Sequence, residues 1–195
     1  EYNFCNNPIN FIYNSNLELH LNNLNLFINE VIEELKNVDT YWEPHGKSTT
    51  KGSQSMGNLF KNPSEKLHKL KSIIFNEIDS YYLKFKDLDC TFIKEWPSKK
   101  NIQGWHVILK QQGYQTAHIH SGGWLSGVIY LKVVPSIDKN EGAIEFSLNG
   151  ERYFDVNSPN VIYNPKIGDI VFFPSSLHHR TIPFTTDDDR ITISF

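Results

Sequence analysis

The second half of the chain consists of short runs of β-forming residues, and this pattern restricts the possible folds more than any other feature. The runs are Trp105 to Lys110, Ser126 to Val134, Ala143 to Leu148, Asp169 to Phe173 and Arg190 to Phe195. Gly, Pro, Asn and Asp separate them, as expected between strands. Several short strands at this spacing predict a β-sandwich or a β-barrel.

The first half of the chain has the periodicity of helices. One apolar stripe comprises Leu24, Phe27, Ile28, Val31, Ile32 and Leu35, with Asn22 or Asn23 as the N-cap. A second stripe comprises Leu67, Leu70, Ile73, Ile74, Ile78 and Tyr81, in a helix predicted to begin near Pro63. The polar segment from Thr40 to Leu59 is predicted to be a substrate-closing lid or a disordered loop. The candidate lid residues are Tyr41, Trp42, His45, Lys47 and Lys51.

Charge and composition exclude several classes of protein. With 22 acidic and 19 basic residues, the net charge of −3 gives no electrostatic reason to expect nucleic acid or an anionic membrane as a partner. No apolar run approaches the roughly 20 residues that span a bilayer. Two cysteines in 195 residues favour a reducing, cytoplasmic setting. The first residue is Glu1 and the last, Phe195, ends a strand-like run, so we expect a domain cut from a longer protein.

Three histidines form a candidate metal site. His118 and His120 are two residues apart, and in an extended strand such residues face the same side, so their imidazoles can converge on one ion. Such a pair alone is more often structural than metal-binding, but a third histidine downstream strengthens the metal interpretation. Neighbours in a strand face opposite sides, so only one of His178 and His179 can join the site, and we predict His179.

Arg190 follows His179 by eleven residues and starts a strictly alternating segment. Arg190, Thr192 and Ser194 form a polar row, whereas Ile191, Ile193 and Phe195 form an apolar row. In an outer strand the polar row would simply face water. Inside a barrel, its guanidinium can bind a carboxylate through two parallel hydrogen bonds.

The order of these motifs resembles that of the 2-oxoglutarate- and Fe(II)-dependent dioxygenases. The resemblance is carried by His118 to His120, Trp124 to Leu131, Gly168 to Ser175, His179 to Pro183 and Arg190, and it covers about Trp105 to Phe195. It is closest to the prolyl 4-hydroxylase-like branch, and in particular to bacterial domains that follow tetratricopeptide repeats.

The resemblance implies a fold, two cofactors and a reaction. The fold is mainly β with N-terminal helices, a double-stranded β-helix (a cupin-like jelly roll) with helices packed outside. Residues 1–195 would form one domain, with 1–100 as helical support and lid and 101–195 as the core. By resemblance His118 and His179 hold Fe(II), Arg190 grips 2-oxoglutarate and Thr192 assists it. The enzyme would use dioxygen to hydroxylate a C–H group of a protein side chain or a small metabolite, releasing succinate and carbon dioxide.

His120 departs from the family pattern, because Asp or Glu usually occupies this position. Either the site is a three-histidine centre or water replaces the His120 ligand. Two further hypotheses follow. One is a three-histidine dioxygenase that needs no 2-oxoglutarate and therefore no Arg190 at this spacing. The other is a non-catalytic module that binds a peptide or glycan on a jelly roll.

Overall fold

The computed structural model describes residues 5, 7–135, 139–150 and 154–195. Two long helices precede most of the strands: α1 (Leu24–Leu35) and α2 (Glu65–Phe85), followed by the short α3 (Thr91–Lys94). The Asn23 side chain caps α1 by accepting from the Leu26 amide at 3.0 Å. Helix α2 begins at Glu65, close to the predicted start near Pro63, and Ser64 caps it by accepting from the Leu67 amide. No helix in this described part of the chain has both the length and the apolarity needed to cross a bilayer.

The strands form two antiparallel sheets. Within the described residues they are β1 (Tyr13–Asn16), β2 (Thr40–Trp42), β3 (Thr49–Ser55), β4 (Trp105–Gln115), β5 (Leu125–Lys132), β6 (Ile144–Ser147), β7 (Asn160–Tyr163), β8 (Asp169–Pro174), β9 (His178–Thr181) and β10 (Arg190–Ser194). The major sheet has the order β1-β8-β5-β10-β4-β3-β2, and the minor sheet has the order β7-β6-β9. Every recorded pairing is antiparallel. The predicted fold class is confirmed.

The segment from Thr40 to Leu59 differs from the prediction, because most of it is an ordered β-hairpin rather than a loop. Strand β3 pairs with β4, and β2 covers the outer edge of β3. The exposed strand β2 and the buried residues Thr49, Gln54 and Ser55 of β3 give no apolar alternation that would reveal strands in the sequence. Backbone hydrogen bonds to β4 stabilise it instead.

The central strands of the major sheet are buried on both faces. Towards the helices it presents Ile129, Leu131, Ile170, Phe172, Ile193 and Phe195, which pack with the apolar stripes of α1 and α2. Towards the minor sheet it presents Val128, Tyr130, Val171 and Phe173, which pack with Ile144 and Phe146. Because the helices cover the outer face, the polar row of β10 must point into the space between the sheets.

Candidate active site

Three histidines meet at one end of the space between the sheets. His179 lies in β9, and its backbone forms two reciprocal hydrogen bonds of 3.1 Å with His118 in an isolated antiparallel bridge. His120 lies two residues further on, with its amide bonded to the Ser175 carbonyl at 2.9 Å. The ring centroids are 4.3 Å (118–179), 4.9 Å (120–179) and 5.2 Å (118–120) apart. The candidate ligand atoms all lie within 4.8 Å of one another.

The local backbone that achieves this convergence differs from the predicted strand. Strand β4 ends at Gln115, so His118 and His120 lie beyond it in a segment held by the bridge and by Ser175. Of the two adjacent histidines, the buried His179 faces the other imidazoles. His178 faces the opposite side of the minor sheet, where its ring lies against Gly150.

Hydrogen bonds at Nδ1 leave Nε2 as the candidate ligand atom of His118 and His179. Nδ1 of His118 lies 2.7 Å from the Thr116 carbonyl, and Nδ1 of His179 lies 3.0 Å from the Leu177 carbonyl. A carbonyl only accepts, so Nδ1 carries the proton and Nε2 presents a lone pair. Nδ1 of His120 instead faces a hydroxyl, that of Ser126, at 2.7 Å.

All three imidazoles are neutral at neutral pH, which is the form that binds metal. Burial lowers the pKa of His120 to about 4, with a further contribution from His118. Burial also lowers the pKa of His118, and it lowers that of His179 well below its usual value, where His118 and His120 add to the effect. Three neutral nitrogen donors on adjoining segments fit a divalent transition metal, and this triad fits an iron site.

Arg190 lies in the same interior, further along the sheet. It is only 2% exposed, and its Nε donates to the Gly142 carbonyl at 3.0 Å. The guanidinium carbon lies 5.0 Å from the centre of the Tyr130 ring. Within the described residues no carboxylate forms an ion pair with Arg190. Burial lowers the pKa of Arg190, yet a guanidinium remains a cation, so among the described residues it is a buried positive charge without a carboxylate partner.

Two buried hydroxyls lie on the same face as Arg190. Tyr130 and Thr192 are register partners on β5 and β10, and neither hydroxyl makes a hydrogen bond within the described residues. The Tyr130 hydroxyl is close enough to influence the guanidinium electrostatically, but it does not form a hydrogen bond of ordinary geometry. A buried cation beside two unsatisfied donors is a binding surface for an anion with several acceptors, such as a carboxylate.

Strand β5 connects the two ends of this interior. Ser126 contacts His120, and Tyr130 lies beside Arg190, four residues further along the same face. Four residues of extended strand span about 13 Å. Tyr130 was not predicted to be a site residue, although its even spacing from Ser126 places both on one face.

An open cleft of about 860 Å³ leads from the surface to His118 and His120. Its walls come from the β2–β3 hairpin, the segment 96–105 and the loop 118–126. Trp124 lines it, and the indole N–H donates to the Phe92 carbonyl at 3.1 Å, which fixes the ring. Of the candidate lid residues, Lys47 lines the cleft, whereas Lys51 bonds to Gln112 away from it.

Comparisons with known proteins agree with this arrangement. Residues 103–195 match the family model described as putative 2OG-Fe(II) oxygenase. No curated protein matches the chain. Among solved structures, a prolyl-4-hydroxylase from Pseudomonas putida is similar with a TM-score of 0.61 at 12% identity, covering 94% of this chain and 89% of that one.

Two further solved structures share the fold. The viral collagen prolyl hydroxylase of Paramecium bursaria Chlorella virus-1, solved with 2-oxoglutarate, has a TM-score of 0.60 at 14% identity, covering 94% of this chain and 93% of its own. A prolyl hydroxylase from Trichoplax adhaerens, solved with a hypoxia inducible factor peptide fragment, has a TM-score of 0.65 at 12% identity, covering 95% and 82%. The histidine triad and Arg190 all lie inside the segment that matches, so residues 103–195 are similar to the 2OG-Fe(II) oxygenase family both in sequence pattern and in the residues of the candidate site.

Proposed function

We propose that His118, His120 and His179 hold one Fe(II), that Arg190 binds 2-oxoglutarate, and that the protein hydroxylates a C–H group of a peptide substrate. One observation carries this proposal: three converging neutral imidazoles share an interior with a buried guanidinium that has no carboxylate partner among the described residues. A cosubstrate-free dioxygenase or a simple binding module has no use for that charge, and burying it unpaired is costly.

The two ends of the interior would bind different groups, the metal at the histidines and the distal carboxylate of 2-oxoglutarate at Arg190. The three Nε2 atoms leave positions open on an octahedral metal for a bidentate cosubstrate and dioxygen. Arg190, with the hydroxyls of Tyr130 and Thr192, would hold the distal carboxylate and so set the orientation of 2-oxoglutarate. When bound, iron and 2-oxoglutarate supply the oxidising power for hydroxylation, with succinate and carbon dioxide as coproducts.

The charge of the cleft lining favours a peptide substrate that carries acidic side chains. Its described lining contains three lysines, Lys47, Lys99 and Lys100, and no Asp or Glu. The whole chain has more acidic than basic residues, so this positive lining does not follow from composition. Lys100 pairs with Asp79, which leaves Lys47 and Lys99 without an ion pair in the described structure. Such a lining attracts anionic groups and repels basic peptides.

We place the protein in a reducing, cytoplasmic setting. The free thiols of Cys5 and Cys90 support this location, since an oxidising compartment favours disulfides.

The test is anaerobic loading with Fe(II), followed by measurement of succinate released from 2-oxoglutarate after oxygen is admitted. We expect release that depends on iron and increases with acidic peptides more than with neutral peptides of equal length. His179→Ala is the inactive control. Product formation without any requirement for 2-oxoglutarate would favour the cosubstrate-free dioxygenase. Absence of turnover in protein that binds peptide would favour the binding module.

A further inference from the structure

Two buried serines lie behind His120 and form a hydrogen-bonded chain with it. Nδ1 of His120 lies 2.7 Å from the Ser126 hydroxyl, which lies 2.7 Å from the Ser175 hydroxyl. Ser126 is 2% exposed and Ser175 is 1% exposed. Ser126 lies in β5 and Ser175 lies in the turn after β8, so the fold brings together two hydroxyls that are distant in sequence.

This arrangement sets His120 apart from the other two imidazoles. His118 and His179 face carbonyls, which only accept, so their tautomer is fixed locally. A hydroxyl can donate or accept, so Ser126 alone leaves the tautomer of His120 open. If Ser126 donates to Ser175, it accepts from Nδ1–H and the His120 Nε2 lone pair is free. If Ser126 instead donates to Nδ1, the proton lies on Nε2 and that nitrogen cannot bind a metal.

Ser175 also fixes the backbone around His120. Its carbonyl accepts from the His120 amide at 2.9 Å, and its own amide donates to the Trp124 carbonyl at 3.1 Å. Gly123 packs directly on the hydroxyl: a Cβ at this position would lie 2.6 Å from Ser175 Oγ. The turn from His120 to Trp124 therefore wraps around Ser175, which contacts both the main chain of His120 and, through Ser126, its ring.

We propose that Ser126 and Ser175 are positioning residues that make His120 a metal ligand by holding its ring with Nε2 towards the site. The proposal rests on the iron site proposed above. A carboxylate at this position would offer a lone pair on either oxygen, but an imidazole binds in only one tautomer and one ring orientation. The serine pair supplies the acceptor that a histidine needs and a carboxylate does not.

The experiment measures Co(II) affinity by competition with a chelator, and counts nitrogen ligands by electron paramagnetic resonance of the Cu(II)-loaded protein. We expect Ser126→Ala and Ser175→Ala each to weaken Co(II) binding by roughly 10- to 100-fold. The number of coordinated nitrogens should fall from three to two in Ser126→Ala. Ser126→Thr, which keeps the hydroxyl, should restore most of the affinity. Ser80→Ala on the exposed face of α2 is the control for folding and metal loading.

A double-mutant cycle shows whether the serines act through His120. In a His120→Ala background, Ser126→Ala and Ser175→Ala should have no further effect on Co(II) affinity. Unchanged affinity and three nitrogens in both serine variants, with a wild-type circular dichroism spectrum, would overturn the positioning role while leaving the iron site intact. A wild-type chain that bound no Co(II) would instead overturn the iron site, and the positioning role with it.

Discussion

Replacing Arg190 should change the stability of the apo protein and its affinity for 2-oxoglutarate in opposite directions. Arg190→Met keeps most of the volume but removes a buried cation that has no carboxylate partner within the described structure. Replacing buried charges by apolar groups is often neutral or stabilising by about 1–4 kcal/mol, so unfolding should require more free energy. In the complex, Arg190 and the distal carboxylate of 2-oxoglutarate would form a buried ion pair, and removing one partner of such a pair costs about 3–5 kcal/mol. Because Tyr130 and Thr192 remain to bind the carboxylate, we expect a loss of binding free energy at the lower end of that range. At about 1.4 kcal/mol per factor of ten, 2-oxoglutarate should bind about 100-fold more weakly.

Calorimetry of 2-oxoglutarate binding to the Mn(II)-loaded protein measures the second effect, and chemical denaturation of the apo protein measures the first. Arg190→Lys should recover only part of the affinity, because a point charge replaces a planar fork. Arg180→Met is the matched control: Arg180 is exposed and pairs with Glu145 outside the interior, so 2-oxoglutarate affinity should not change. If Arg190→Met bound 2-oxoglutarate as tightly as the wild type, Arg190 would not be the cosubstrate ligand and the cosubstrate-free enzyme would become the better hypothesis.

Three further predictions use neighbouring or unrelated residues as controls. His179→Ala should abolish tight Co(II) binding, whereas His178→Ala should change the Co(II) affinity by no more than about twofold, because only His179 faces the other imidazoles. Equal losses of affinity in the two variants, measured by competition with a chelator, would contradict this geometry. His106 is fully buried with neither ring nitrogen hydrogen-bonded in the described structure, and burial lowers its pKa from 6.5 to about 4. Stability should therefore fall as the pH drops from 6.5 to 4, by roughly 3 kcal/mol at most, and denaturation of His106→Leu should show a smaller fall over that window. Lys47→Glu with Lys99→Glu should raise KM for an acidic peptide about tenfold and leave KM for 2-oxoglutarate unchanged; an equal rise for a neutral peptide would count against charge recognition.

The strands of the second half were predictable because the two faces of a strand have different environments in the fold. Strand β10 alternates between a polar and an apolar row, and each row has one environment in the fold: Thr192 faces the interior and Ile193 faces the helices. The same alternation identified His179 rather than His178. Periodicity works here because burial on both faces penalises a register shift at every residue.

The remaining features depend on contacts between residues that are distant in sequence. Strand β3 is polar and becomes a strand only because β4 offers an edge to pair with. Ser175 acts on His120 across 55 positions, through a carbonyl and a hydroxyl that no local pattern links to histidine. Tyr130 looks like one more core aromatic in sequence. Its unsatisfied hydroxyl beside Arg190 distinguishes it only when the sheets are assembled.

The sheet order has a consequence for where the protein can be divided. The family match begins at residue 103, but a cut there would remove both edges of the major sheet, since β1 pairs with β8 and β3 pairs with β4. It would also expose Ile129, Leu131 and Phe172, which the helices keep almost wholly from water. At about 1.5–3 kcal/mol for each side chain, the loss approaches the entire stability of an ordinary domain. We therefore expect that residues 103–195, although they match the family model, do not fold independently. Expressed alone, the segment should lack a cooperative thermal transition and aggregate through its uncovered strand edges.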